Sequence, residues 1–205
     1  MQGKFTQIAV TVILTLLSAG HTFAQEKQTA IFAGGCFWCV ESDFDHVPGV
    51  LETISGYIGG NTDNPNYKNH SQGKHREAVE ISYDPTKVSY EELLEVFWRS
   101  VDPTDAGGQF CDRGHSYTTA IYTVDESQEK LANESKTRLE SSSTLKNSIV
   151  TSIEPAAAFW PAETYHQDYF NKNPIRYKFY RTSCGRDKRV KSIWGSEAHA
   201  GISKH

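Results

Sequence analysis

Long runs of one charge do not occur in this 205-residue sequence. Its 21 Lys and Arg residues stand against 25 Asp and Glu, which gives a formal net charge of −4. Proteins that bind nucleic acid or membrane surfaces by general electrostatics concentrate positive charge in patches. The overall charge pattern therefore gives no reason to expect either partner.

Internal repeats, low-complexity segments and an interdomain linker do not occur either. Strand and helix patterns are interspersed, with both hairpin-like and crossover connections. A chain of this length can bury one ordinary hydrophobic core. We therefore predict one α+β domain with a mixed, layered sheet and long coil segments, spanning residues 25–205.

Cysteine is scarce, with four residues at positions 36, 39, 111 and 184. A domain of this size does not need disulfides for stability, and four cysteines allow three full pairings between which the sequence cannot choose. Cys36 and Cys39 form a Cys-x-x-Cys pair, but Cys111 and Cys184 are singletons, so the spacing of a zinc site is missing. The pattern favours redox chemistry over a metal site or a disulfide scaffold.

The first 24 residues have the organisation of a secretory signal peptide. Lys4 supplies the positive start, residues 8–17 form the apolar core, and small residues precede a cleavage site after Ala24. An uncleaved anchor is the weaker alternative, because the apolar run is short for a bilayer-spanning helix. We expect a mature protein without a membrane anchor that acts in the periplasm, with secretion into the medium as the alternative.

The chemistry is expected at the Gly-Gly-Cys-Phe-Trp-Cys sequence of residues 34–39. A short apolar strand around Ile31 precedes it, and a helix is predicted from Cys36 to about His46. Free N–H groups and partial positive charge at a helix start favour the thiolate, which is the nucleophilic form of cysteine. We therefore predict that Cys36 is reactive; the alternative is a buried structural thiol.

The remaining predicted elements frame two irregular stretches, residues 59–73 and 102–116. Long loops of this kind in compact domains are often functional. Strands are expected at residues 50–57, 77–83, 117–124 and 149–153, and helices at 89–100, 126–141 and 161–170. Three histidines are candidate bases that no local signal distinguishes: His75, His115 and His166.

The C-terminal stretch from about residue 176 is predicted to be an irregular basic tail. Residues 176–191 hold seven Lys or Arg against one acid, Asp187. Cys184 lies among these charges, and neighbouring positive charge lowers the pKa of a thiol. Cys184 is thus a second candidate reactive cysteine; the alternative is that the charges only solvate the surface.

Several short motifs occur in a fixed order, and together they indicate a protein family more specifically than any one of them alone. In chain order they are Gly34-Gly35-Cys36-Phe37-Trp38, Ser55-Gly56-Tyr57-Ile58-Gly59-Gly60, Asn64-Pro65-Asn66-Tyr67, Gly73-Lys74-His75-Arg76-Glu77, Asp102-Pro103-Thr104, Asp112-Arg113-Gly114-His115-Ser116-Tyr117 and Tyr165-His166-Gln167-Asp168-Tyr169. This set closely resembles the peptide methionine sulfoxide reductase A family over residues 31–185. The resemblance implies a mixed α/β sandwich with long coils that reduces the S epimer of methionine sulfoxide, free or in proteins, without a metal or organic cofactor.

The resemblance also implies a role for each motif residue. Cys36 is expected to attack the sulfoxide sulfur, Phe37 and Trp38 to hold the substrate methyl group, and Glu77 to protonate the sulfoxide oxygen. Three further polar residues are expected around that oxygen: Tyr67, Tyr117 and Asp112. The roles are chemically sound, because a carboxylic acid kept neutral by burial can supply the proton and attack leaves Cys36 as a sulfenic acid.

A second thiol is expected to condense with this sulfenic acid, after which a thioredoxin-like reductant resets the disulfide. Cys39 would need local rearrangement, because positions i and i+3 of one regular helix do not meet disulfide geometry. Cys184 lies in a tail suited to approach, so we favour Cys184, with Cys39 as rival or relay. Cys111 has no assigned role, and we expect a monomer because nothing in the sequence suggests an obligate oligomer.

The sequence departs from the commonest family pattern at several positions. Cys39 stands where many members have glycine, and Arg76 replaces a usual small residue before Glu77. Thr118 follows Tyr117 where arginine is frequent. None of these changes removes a motif residue with an expected role, but Cys39 adds a thiol beside the predicted nucleophile.

Two other functions stay open at this point. A thioredoxin-type exchanger would explain Cys36-x-x-Cys39 but not the set of Tyr, Glu and Asp residues, and it would lose its activity with Cys39. A non-enzymatic secreted domain held by two disulfides would have no titratable thiol.

Overall fold

A six-stranded mixed sheet lies at the centre of the computed structural model, which describes residues 27–203. The predicted signal peptide, residues 1–24, lies outside the described residues. The strands are β1 (Gln28–Gly34), β2 (Val50–Ile58), β3 (Arg76–Tyr83), β4 (Gly108–Gln109), β5 (Asp112–Arg113), β6 (Thr119–Thr123), β7 (Ser152–Pro155) and β8 (Trp160–Pro161). The large sheet has the order β7-β6-β1-β3-β2-β8, parallel only between β6 and β7, while β4 and β5 form a separate hairpin.

Helices cover one face of the sheet and enclose the main core. They are α1 (Phe37–Asp45), α2 (Tyr90–Ser100), α3 (Glu126–Ser141), α4 (Tyr169–Lys172), α5 (Pro174–Cys184) and α6 (Arg186–Trp194). Phe32 of β1 stacks on Phe44 of α1 and Phe97 of α2, with ring centroids 5.2 and 5.1 Å apart. The predicted α+β domain with a mixed sheet is confirmed. None of the helices within residues 27–203 is long and apolar enough to cross a membrane.

Local signals placed the first elements well. Ser89 and Glu92 form the expected capping box at the start of α2. The strand predicted at residues 117–124 is shorter, because Tyr117 lies in a single 3₁₀ turn before β6. The strand predicted at residues 149–153 begins later, at Ser152.

The helix predicted at residues 161–170 is wrong. Trp160 and Pro161 instead pair with β2 at the edge of the sheet, a position that tolerates proline because no ladder N–H is required. The Gln167 side chain then bonds both the N–H and the carbonyl of Ser55, which holds the following turn in place of helical bonds. Asp168 adopts a left-handed conformation with φ 52°, and α4 begins only after it.

The irregular tail predicted from about residue 176 is also wrong, because this stretch forms α5 and α6. Pro174 opens α5 at its first turn, and Gly185, with φ 74°, separates the two helices. Tyr177, Val190 and Trp194 are buried, so the basic residues belong to helices with an inward face.

One disulfide joins Cys111 in the β4–β5 hairpin to Cys184 at the end of α5. Cys184 therefore does not lie in a free tail, and Cys111 has a partner that the sequence did not indicate. Cys36 and Cys39 are free and buried thiols. Two free thiols contradict the alternative of a domain held by two disulfides.

Candidate active site

Cys36 lies between the end of β1 and the start of α1. It occupies the N-cap position, outside the helix that was predicted to begin with it, and is 7% exposed. Gly35 precedes it with φ +90°, and a Cβ atom there would come within 2.7 Å of the Gln109 side chain. Glycine is thus needed to bring the chain tightly from the strand into the helix with the thiol at its end.

Glu77 of β3 lies at the same helix end. Its Oε2 accepts the backbone N–H of Phe37 at 3.0 Å, and the side chain is 2% exposed. Burial, together with the nearby Asp112, raises the pKa of Glu77 to about 8, although bonds from the Phe37 N–H and from Tyr117 act in the opposite direction. Glu77 is therefore a neutral carboxylic acid at pH 7, as its expected role requires.

The thiols of Cys36 and Cys39 are hydrogen-bonded to each other. We expected Cys36 to be the more acidic thiol, but Cys39 has the lower pKa. Burial raises the pKa of Cys36, and Cys39 and Glu77 raise it further. The hydrogen bond with Cys36 lowers the pKa of Cys39, and Arg186 and Arg181 also lower it against the effect of burial. When the pair loses one proton, the negative charge therefore resides on Cys39, next to the thiol of Cys36.

Two buried arginines support this charge from the C-terminal helices. Arg186 is 1% exposed and donates to the carbonyls of Gly34 and Ser100, each at 3.0 Å. Arg181 lies 2.8 Å from the carboxylate of Asp43, which Arg186 also contacts. One of the two alternatives for the basic residues is that they only solvate the surface; for Arg181 and Arg186 it is wrong, because these two charges hold α5 and α6 against α1.

Polar groups surround Glu77 and Cys36 on the sheet side. Tyr117 hydrogen-bonds Glu77, and burial raises the pKa of Tyr117, so its hydroxyl keeps its proton. Tyr67 is 43% exposed, and burial followed by the nearby Glu77 and Cys36 raises its pKa as well. Asp112 accepts a hydrogen bond from Tyr180 at 2.5 Å. The structure thus brings together the polar residues that the resemblance implied.

Aromatic residues form the other side of the site. Phe37 is buried against Tyr57 and His166, with ring centroids 5.8 and 5.0 Å away. The Trp38 ring stacks on Tyr169 at 3.7 Å, and its indole N–H donates to His166 Nδ1 at 3.0 Å. Trp38 is therefore held in one orientation, and His166 positions an aromatic ring.

Tyr180 also contributes to the site, although no sequence motif indicates it. Its hydroxyl bonds Cys36 as well as Asp112, and its ring meets Trp38 edge-on at 5.7 Å. We had assigned this stretch to an irregular tail. A helical interpretation was available, because Pro174 is suited to a first turn and Tyr177, Tyr180 and Cys184 follow at helical spacing.

Cys184, which we favour as the resolving cysteine, lies close to the site but forms no bond with Cys36. Its sulfur is 3.8 Å from Asp112 Oδ2 and is bonded to Cys111. The same two sulfurs and Asp112 are the only three potential metal-ligand atoms that cluster within 4.8 Å among residues 27–203. The disulfide occupies both sulfurs, so this cluster is not a thiolate metal site.

Known proteins that are similar to this chain are methionine sulfoxide reductases. A sequence profile described as peptide methionine sulfoxide reductase matches residues 28–198. A Rhizobium meliloti protein named peptide methionine sulfoxide reductase MsrA 2 is 57% identical over 180 residues, which cover 88% of this chain and 90% of the relative. A Bacillus licheniformis protein named peptide methionine sulfoxide reductase MsrA is 50% identical over 175 residues, covering 84% and 96%.

Solved structures give the same result. Mxr1 from Saccharomyces cerevisiae in reduced form superposes with a TM-score of 0.66 at 29% identity, over 72% of this chain and 86% of that one. Methionine sulfoxide reductase A of Corynebacterium diphtheriae superposes with a TM-score of 0.64 at 32% identity, over 73% and 76%.

Proposed function

We propose that Cys36 and Glu77 perform the chemistry of this chain, which belongs to the peptide methionine sulfoxide reductase family. The reaction reduces the S epimer of methionine sulfoxide to methionine and oxidises thiols. One observation carries the assignment of these two residues. Cys36 lies at the start of α1, and the carboxylic acid of Glu77, kept neutral by burial, accepts the backbone N–H of Phe37, the next residue.

The first step joins Cys36 sulfur to the sulfoxide. Glu77 gives its proton to the sulfoxide oxygen, which makes the sulfoxide sulfur electrophilic. Tyr67 and Tyr117 donate hydrogen bonds to the same oxygen and stabilise its developing charge. The Cys39 thiolate accepts the proton of Cys36, a role supported by the hydrogen bond between the two thiols. The bond between Cys36 sulfur and the substrate sulfur and the S–O bond of the substrate then break, and a new S–O bond forms on Cys36. This leaves Cys36 as a sulfenic acid, and methionine, reduced by two electrons, is released.

The substrate methyl group is held by Phe37 and Trp38. Aromatic ring faces and edges make favourable contacts with methyl and sulfur groups. The support for Trp38 is its fixed orientation between Tyr169 and His166. We propose both free methionine sulfoxide and oxidised proteins as substrates, which makes the reaction a repair of oxidised protein.

The contacts favour Cys39 as the thiol that resolves the sulfenic acid. Its sulfur attacks the Cys36 sulfur, the S–S bond forms and the S–O bond breaks; the hydroxide takes up the proton that Cys39 accepted in the first step and leaves as water. Cys36 lies at the N-cap, so the geometric objection to a bond within one helix does not apply. Our earlier choice of Cys184 stays a prediction, and its premise of a free tail does not hold.

Cys111 and Cys184 are proposed to act next. In the dithiol form, Cys184 attacks the Cys36–Cys39 disulfide and Cys111 then displaces the bound thiol, which regenerates both site cysteines and leaves the Cys111–Cys184 disulfide. The redox state of the structure, with free Cys36 and Cys39, supports this order. Cys111 is exposed and accessible to an external dithiol, for which we propose a thioredoxin-like reductant.

We further propose that the protein is an exported monomer that acts in the periplasm. The support is the organisation of residues 1–24 as a secretory signal peptide. Fractionation of cells expressing the full chain, followed by N-terminal sequencing, tests this. A mature N-terminus near Gln25 in the periplasm is expected, and an intact Met1 in the cytosol contradicts it.

A single-turnover experiment tests the chemistry. Fully reduced protein is mixed with limiting S epimer of methionine sulfoxide, methionine is measured, and disulfides are mapped by mass spectrometry. We expect methionine with a Cys36–Cys39 bond at early times and a Cys111–Cys184 bond later. Cys36→Ser must release no methionine, whereas Cys39→Ser must still complete the first turnover.

The same experiment separates the two candidate resolving thiols. A Cys36–Cys184 bond at the earliest times in the unmodified protein returns Cys184 to the resolving role. Methionine release by Cys36→Ser overturns the assignment of the nucleophile.

A further inference from the structure

A buried histidine lies beside Glu77 and has no part in the chemistry above. His70, in the loop between β2 and β3, is 3% exposed, and its Nε2 lies 3.8 Å from Glu77 Oε1. The rings of Tyr57 and Tyr67 lie 4.9 and 5.8 Å from it and hold its plane. A buried ring nitrogen therefore lies next to the second oxygen of the proposed acid.

The hydrogen-bond partners determine which ring nitrogen carries hydrogen. Nδ1 lies 3.1 Å from the backbone carbonyl of Tyr67, which can only accept, so Nδ1 is the donor. Nε2 of the neutral ring therefore presents a lone pair. It lies 3.2 Å from the Ser71 hydroxyl and 3.8 Å from Glu77 Oε1.

Ser71 connects this nitrogen to solvent. Ser71 is exposed, and its oxygen accepts a hydrogen bond from Ser116 at 3.1 Å, so its own proton is directed to His70 Nε2. The Glu77 side chain itself is 2% exposed, and its other oxygen is held by the Phe37 N–H. His70 and Ser71 thus form a polar path from Glu77 to the surface, in which 3.8 Å separates Glu77 Oε1 from His70 Nε2 and 3.2 Å separates His70 Nε2 from the Ser71 hydroxyl.

We propose that His70 returns a proton to Glu77 after each turnover. A proton from solvent passes through the Ser71 hydroxyl to Nε2; the Nε2–H bond then breaks, an O–H bond forms at Oε1, and His70 becomes neutral again. His70 is a positioning residue that acts through Glu77, so the inference rests on the proposed role of Glu77 as the acid.

The charges around His70 give this transfer its direction. Burial lowers the pKa of His70, and the nearby His75 acts in the same sense, while backbone bonds to Tyr67 and Asn66 and the carboxylate of Glu163 oppose it. Burial raises the pKa of Glu77 to about 8. A proton on His70 therefore moves downhill to Glu77, and the ring is charged only in passing.

A pH jump isolates this step from the recycling of the cysteines. Reduced protein is held at about pH 9.5, where Glu77 is ionised, and is mixed at about pH 6.5 with the sulfoxide. Methionine from the first turnover is followed by rapid quench, and the same protein held at about pH 6.5 gives the reference rate. The variants are His70→Gln, which hydrogen-bonds but cannot carry a proton, and His70→Ala with added imidazole. His115→Gln is the matched control, because His115 is exposed and bonds the carbonyl of Lys74 in the same loop.

We expect His70→Gln to react after the jump on the order of 10²-fold more slowly than its own reference, and imidazole to shorten this delay in His70→Ala. His115→Gln and the unmodified protein must show no such delay. The proposal is overturned if His70→Gln reacts at the same rate from both starting pH values. If that common rate is lower than the rate of the unmodified protein, His70 has only a structural role. Failure of the underlying function is distinct, because Glu77→Gln would then react at the unmodified rate.

Discussion

The guanidinium of Arg76 donates a hydrogen bond to the hydroxyl of Thr118 across 2.8 Å. Both positions depart from the pattern of the family, which has a small residue at the first and frequently arginine at the second. Arg76 also donates to the Tyr122 hydroxyl at 2.7 Å and lies 3.0 Å from Glu154. An arginine on β3 thus supplies the positive charge that residue 118 does not, and it ties β3 to β6 and β7.

Replacement of Arg76 by Ala is expected to lower the free energy of unfolding by about 1–2 kcal/mol, because three hydrogen-bonded partners lose their donor. Urea unfolding measures the change. In a double-mutant cycle with Thr118→Ala, we expect the two losses to be non-additive by about 0.5–1 kcal/mol. Strict additivity would show that the contact between the two side chains contributes nothing.

The rate of the first turnover is expected to fall as the pH rises through about 8, since the pKa of Glu77 has that value and only its protonated form can act as the acid. Glu77→Gln should lose on the order of 10²-fold in rate and this pH dependence. Rapid-quench measurement of methionine across the pH range tests both. An unmodified protein whose rate keeps rising above pH 8 would contradict the assignment.

The stability of the protein has a matching pH dependence. The pKa of Glu77 is raised from 4.5 in the unfolded chain to about 8 in the fold, so the folded state binds more protons between these values. The contribution of Glu77 to stability is therefore fully present below pH 4.5 and is lost as the pH rises to 8. In urea titrations, Glu77→Gln should remove this part of the decrease in the free energy of unfolding between pH 4.5 and 8. If the decrease is unchanged, another group causes it.

Tyr180→Phe removes a hydroxyl from Cys36 and Asp112 but keeps the ring against Trp38. The Tyr180 hydrogen bond lowers the pKa of Cys36, so its loss should shift alkylation of Cys36 to higher pH and slow the first turnover by about 10-fold, the equivalent of one pKa unit. Tyr165→Phe is a suitable control because Tyr165 is exposed. Alkylation profiles that coincide in the two variants would rule out the role of Tyr180.

Loss of the Cys111–Cys184 disulfide is expected to destabilise the fold. The bond spans 73 residues, and loop closure of that length lowers the entropy of the unfolded chain enough to contribute about 4 kcal/mol. The double variant Cys111→Ser with Cys184→Ser should show this loss in urea under oxidising conditions. Cys39→Ser serves as the comparison, because Cys39 is a free thiol and closes no loop. Equal free energies of unfolding of the double variant and Cys39→Ser would contradict the expectation.

The early part of the chain could be predicted because its signals are local. Two glycines and a cysteine between a strand and a helix placed Cys36 correctly, and the capping box of Ser89 and Glu92 marked the start of α2. The motif residues around Glu77 gave the polar site because the resemblance supplied their roles. Each of these inferences needs only a few neighbouring residues or a known pattern.

The C-terminal part could not be predicted because its stabilising contacts are distant in sequence. Arg181 and Arg186 look like surface charges until Asp43, more than a hundred residues away, is seen to pair with both. The acidity of Cys39 depends on the same two arginines. Pro174 offers a local signal for α5, but without that pairing the packing of both helices against α1 and the partner of Cys184 stay hidden.

The Cys111–Cys184 bond also makes the chain between its ends a covalent ring. The turn after α3, residues 142–148, lies on this ring and is largely exposed. A protease that cuts the backbone once in this turn leaves one molecule as long as the bond is intact. Once the bond is reduced, the fragment with Cys36 and Glu77 and the fragment with Tyr180 and Arg186 are joined only by packing, so the redox state would decide whether a nicked enzyme stays whole.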